Sequence, residues 1–164
     1  MISSLDELYP YSHTGLVLRD ADVAVLRTDA GHLCGYCAFD DEEIPSHWRG
    51  NYDAPGLQFL AIHGGLTYAE HKAPFSIFGF DCAHSGDDCD PKLRNPEHVM
   101  GLAHQMRAQL SAFAARRDEW LTASREERAA IIDSVSAGAE FKTEPGLAGM
   151  LEILMGAPSL GEPA

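Results

Sequence analysis

Lysine and arginine are scarce in this chain: there are 12, against 25 aspartates and glutamates, for a formal net charge of −13. A surface of that sign repels phosphate backbones and anionic headgroups, so direct binding to nucleic acid or a membrane surface is not expected. Long hydrophobic runs are missing too; no stretch approaches the roughly eighteen consecutive apolar residues that a membrane helix requires. The opening segment, Met1 to Asp6, has neither the basic nor the apolar region of a secretion signal, so a cytoplasmic protein is expected. Cysteine is sparse, four in 164 residues, which is thin for a disulfide framework in a chain this large. No internal repeat and no low-complexity tract interrupts the sequence. What remains, 45% hydrophobic and 23% charged, is an ordinary globular composition of single-domain size.

The two halves differ in period. The first is rich in glycine, aromatic and β-branched residues, and strands are predicted at 15–18, 23–27, 33–39, 57–62 and 76–80, separated by turn signals such as Asp29-Ala30-Gly31. In the second half Asn95-Pro96-Glu97 supplies a helix cap, a proline at the first helical position and an early acid. Val99, Leu102, Met106, Leu110 and Phe113 then recur at helical spacing as far as about Trp120, with Gln105, Gln109 and Arg116 assigned to the polar side. Ser124 and Glu127 form a capping box for a second helix over 125–137, and a third is expected at 145–155. The prediction is a single α+β domain over residues 1–155, an antiparallel sheet with two or three C-terminal helices on one face, followed by a frayed tail at 156–164.

Chemistry concentrates at two predicted strand ends. The run Phe78-Gly-Phe-Asp-Cys-Ala-His-Ser-Gly-Asp-Asp-Cys-Asp90 halts an apolar segment in acids, thiols and an imidazole. Upstream, Ile62-His63-Gly64-Gly65-Leu66-Thr67 ends an apolar run in a histidine and paired glycines. His63, Asp81, His84 and Asp87 are therefore the candidate ligands of a divalent metal, zinc or similar, since imidazole and carboxylate suit such ions. The same four are candidate catalytic acid–base groups, because a carboxylate can poise a histidine near neutral pH. Gly86 lets the chain turn tightly between them. The plainer alternative is that Asp81 and His84 cap a turn. Gly64, Gly65 and Thr67 are candidates for binding a small, phosphorylated or nucleotide-like ligand through backbone N–H groups, with His47 approaching from a loop. Lys92 and Arg94 stand at the entrance of the long helix.

A four-cysteine zinc site fits poorly. Cys82 and Cys89 lie seven apart, and Cys34-Gly-Tyr-Cys37 falls on a strand whose alternation sends its two thiols to opposite faces. Cys82 is a poor nucleophile candidate, because Asp81 and Asp87 would raise its pKa.

Cys34-Gly-Tyr, His47, His63-Gly-Gly-Leu-Thr-Tyr68 and Phe78-Gly-Phe-Asp-Cys-Ala-His-Ser-Gly-Asp87 together resemble a family of small uncharacterised proteins of bacteriophages and prophage-bearing bacteria. The resemblance covers about the middle third of the chain. It implies that Cys34, His47, His63, Asp81, Cys82, His84 and Asp87 belong to one constellation, and leaves Cys37 and Cys89 outside it. It implies no reaction. Two functional expectations follow. One is a pocket protein that binds a metal or a small ligand, with hydrolysis as its chemistry. The other is a non-catalytic anti-defence protein of the host cytoplasm, which sequesters a signalling nucleotide or blocks a host protein through its acidic surface. A third possibility is that both motifs serve folding alone.

Overall fold

β-Branched and aromatic residues suit a pleated, half-buried surface, and the first half of the chain folds accordingly. The computed structural model describes residues 13–137. Five strands run antiparallel: β1 (His13–Asp20), β2 (Val23–Thr28), β3 (Leu33–Asp40), β4 (Tyr68–Lys72) and β5 (Phe75–Asp81). Their order across the sheet is β1-β2-β3-β5-β4. The expected α+β architecture is present, with a sheet followed by helices that pack against it.

Alternation along β3 fills both faces of the sheet. Leu33, Cys37 and Phe39 join the main core, whereas Cys34, Tyr36 and Ala38 join a smaller cluster on the reverse face with Ala24, Leu26 and Ile77. The two cysteines of the CxxC therefore lie on opposite faces, as a separation of three residues on a strand requires.

Two helices follow. Helix α1 (Pro96–Thr122) starts at Asn95, whose side chain accepts the Glu97 amide at 3.0 Å, with Pro96 in the first turn. Its buried stripe, Val99, Leu102, Met106, Leu110 and Phe113, lies on the main core face. Helix α2 (Arg125–Val135) carries the reciprocal Ser124–Glu127 capping box and buries Ile131, Ile132 and Val135. The predicted third helix at 145–155 and tail at 156–164 lie outside the described residues.

One predicted strand is not a strand. Residues 57–62 form a single 3-10 turn, Leu57–Phe59, and then extended loop. A short apolar run between turn signals does not tell strand from buried loop, and here a helix side chain replaces the ladder. Gln109 of α1 accepts the Ala61 amide at 2.8 Å and donates to the Ala61 carbonyl at 2.9 Å. Gln109 is thus buried on the apolar stripe rather than on the polar side assigned to it. The strand that exists instead, β4, was not predicted. It is an edge strand carrying Glu70, His71 and Lys72, residue types that blunt an edge rather than announce a strand.

Trp48 folds onto the core, fully buried and stacked on Phe113 with ring centroids 5.7 Å apart. Trp120 packs edge-on against the same ring.

Candidate metal centre

At the end of β5 the chain leaves the sheet with the Cys82 amide still bonded to the Leu33 carbonyl, which fixes where the next residues emerge. A tight turn follows. The Asp87 amide donates to the His84 carbonyl at 3.0 Å, and Gly86, at φ +94°, takes the left-handed conformation the turn requires. The turn closes on itself, because Asp87 Oδ2 accepts the His84 amide at 2.8 Å.

The same oxygen collects two imidazoles. His84 Nδ1 lies 3.2 Å from Asp87 Oδ2, and His63 Nε2 lies 3.0 Å from it. His63 arrives from the other side of the β4–β5 hairpin, on the loop that Gln109 clamps at Ala61. Its ring lies 5.5 Å from that of His84, nearly perpendicular, and backs onto Phe80. Asp87 is 8% exposed, His63 11% and His84 34%, so the cluster is sheltered on two sides and reached by solvent on the third.

Burial alone would raise the Asp87 carboxyl. Hydrogen bonds from the His63 side chain and the His84 amide outweigh it and hold the group below the ordinary carboxylate range. Asp87 is therefore an anion at neutral pH. Its Oδ1 has no hydrogen-bond partner among the described residues.

One donor atom from each of His63, His84 and Asp87 lies within 4.8 Å of the other two, so the group could hold a metal ion. Bonds of 2.0–2.1 Å at tetrahedral angles place neighbouring ligand atoms about 3.3 Å apart. The two contacts to Asp87 Oδ2, 3.0 and 3.2 Å, are close to that spacing.

Gly64 couples the two motifs. It sits at φ +64°, and a Cβ built there would lie 2.1–2.6 Å from three atoms of the His84 ring. The imidazole lies directly against the glycine backbone, so Gly64 is the space that His84 occupies. The Gly65 amide donates to the Ile62 carbonyl and the Thr67 amide to the Gly79 carbonyl, both within the fold.

Two expected members stand apart. Asp81 Oδ1 accepts the Ala83 amide at 3.0 Å and lies 3.7 Å from His84 Nδ1; it caps the turn and falls outside the three-residue group. His47 is held by Arg117 of α1, whose Nε donates to its Nε2 at 3.1 Å. Burial and that guanidinium keep the His47 imidazole below its usual pKa. Cys34 and Cys82 are buried thiols raised by desolvation to about 11 and about 12, and Asp87 adds to the rise at Cys82. They are walls rather than nucleophiles. Gln109 was missed as a positioning residue, although it occupies the stripe register of Leu102, seven residues earlier.

Comparison of the chain with protein-family models, with curated proteins and with solved structures gives no match, so the site stands on its geometry.

Proposed function

We propose that His63, His84 and Asp87 form a divalent-metal centre of the zinc class and that the chain acts hydrolytically on a small ligand brought to it. One observation carries this: a single carboxylate oxygen, Asp87 Oδ2, is met by imidazoles from two separate loops at near ligand spacing. A structural zinc site closes with four protein ligands, whereas a catalytic one keeps three and leaves a position for water. Among the described residues there are three, on a side where His84 is reached by solvent. A bound metal would supply Lewis acidity and a water of lowered pKa. The protein's own part is to hold the two imidazoles in register. His63 is fixed through Gln109 and Ala61, and His84 through its amide on Asp87 and its ring on Gly64.

The test is metal content and thermal melting of the purified chain. One equivalent of zinc should survive dialysis and raise Tm, and both effects should vanish in His63→Ala and in His84→Ala. A wild-type chain that takes up no zinc, with an unchanged Tm in excess zinc, would overturn the proposal. The contacts would then be those of a metal-free carboxylate shared by two histidines.

A further inference from the structure

Beside the metal centre, at the same end of the sheet, is a cavity of about 290 Å³. Its floor is apolar, with Leu33, Cys82 and Leu93. Its walls carry Arg27, His32 and Arg94, and it shares Asp87 with the His63–His84 cluster. We infer that this cavity is a binding site for the phosphate group of a small phosphorylated molecule. The pocket itself is argued from its own walls; it deepens the metal-centre proposal by naming a substrate class, and only the coupling between the two sites rests on that proposal.

Three observations support it. The first is a local balance of charge, two arginines against Asp87 and Asp88. In a chain of net charge −13, two of the 12 lysines and arginines line this one small space, together with a histidine. The second is the way the guanidinium groups are held. Arg27 Nη1 donates to the Gly31 carbonyl at 2.9 Å and Arg94 Nη2 to the Asp88 carbonyl at 2.8 Å. Each bond ties the side chain to the rim of the cavity through a neutral acceptor, so neither bond cancels the charge it positions. Arg94 makes no ion pair among the described residues. A guanidinium fork matches the planar spacing of two oxygens on a phosphate, which is why arginine is favoured in such sites. The third is size. At roughly 30 Å³ per water, the cavity has room for about ten waters, at the low end of small-ligand pockets. A phosphorylated small molecule fits that volume, and a nucleic-acid strand does not.

Asp87 and the exposed Asp88 oppose an anion in the metal-free protein. A divalent ion at Asp87 would neutralise that wall. Phosphate and metal should therefore bind with positive coupling, the same factor being seen from either side.

The experiment is calorimetric titration of the full chain with inorganic phosphate against chloride at matched ionic strength, once stripped of metal and once loaded with stoichiometric zinc. Phosphate should bind in both states, and about tenfold or more tightly with zinc, given the strength of a charge-assisted contact. Arg94→Gln and Arg27→Gln should each weaken phosphate by about tenfold or more while zinc stoichiometry stays at one. Two results would overturn the inference: no phosphate heat beyond the chloride control in either state, or both variants binding phosphate as the wild type does. Should the wild type take no zinc, the metal proposal fails by itself, and the metal-free titration still decides the pocket.

Discussion

Two histidine–aspartate contacts in this protein have the same length and different prospects. His63 Nε2 lies 3.0 Å from Asp87, and His71 Nε2 lies 3.0 Å from both oxygens of Asp41. What separates them is their surroundings. Asp87 is met by a second imidazole and is 8% exposed. Asp41 is met by Arg49, whose Nε lies 3.5 Å from it and whose Nη2 donates to its carbonyl, and its side chain is 19% exposed. A cation arriving at Asp41 would meet a guanidinium already in place; one arriving at Asp87 would meet two imidazole nitrogens. Distance marks a pair in both places, but only the second has the convergence of donors a metal requires.

The sharpest way to break the comparison is to remove each carboxylate in turn. Loss of second-shell groups alone weakens metal sites by 10- to 100-fold, so Asp87→Asn is expected to lower zinc affinity by about 100-fold or more. Asp41→Asn should leave zinc affinity unchanged and alter stability by less than about 1 kcal/mol, as for other exposed pairs. A competitive chelator titration of both variants checks this; equal zinc loss in the two would erase the distinction.

The next largest effect concerns what holds His63. Gln109→Leu keeps the volume of a core position but strands the buried amide and carbonyl of Ala61, so it should destabilise the fold by about 2–4 kcal/mol, read by urea denaturation. Zinc affinity measured well below the melting transition should fall with it. A Gln109→Leu protein of wild-type stability would show that the Ala61 contacts are replaceable.

The smallest effect separates the paired glycines. Gly65 sits at φ +80° with nothing within 4 Å of a built Cβ, so Gly65→Ala should cost about 1–2 kcal/mol of backbone strain and spare the metal. Gly64→Ala carries similar strain and also displaces the His84 ring, so zinc affinity should drop in this variant alone. Equal zinc affinity in the two alanine variants would rule out Gly64 as the seat of His84.

The sequence made legible whatever depends on local rules. Asn95-Pro96 and the Ser124–Glu127 box start their helices as read, and four predicted strands lie within β1, β2, β3 and β5. His63, His84 and Asp87 were marked by falling where apolar runs stop. Long-range substitution was not legible. Residues 57–62 read as a strand because they form a short apolar run between turn signals, but the partner of their backbone at Ala61 is a glutamine 48 residues away on a helix. Gln109 was read as solvent-facing because polarity outweighed its place on the stripe. Asp81 was grouped with the site by proximity in sequence, whereas its carboxylate turns back to the Ala83 amide. Of the cavity walls, Arg94 was marked at the entrance of the long helix, but Arg27 and His32 were not, because the β2–β3 hairpin that carries them meets Arg94 only in the folded protein.

His63 and Asp87 are 24 residues apart, and the segment between them is the β4–β5 hairpin, the outer edge of the sheet. Their contact is therefore a clasp around that hairpin. A permanent link across a loop of this size would remove about 3 kcal/mol of chain entropy from the unfolded state. The hydrogen bond closes the loop weakly, and a shared ion would lock it. Unzipping of the sheet's edge and loss of metal would then be one event, so the exchange rates of the β4 amides should report how long an ion resides in the site.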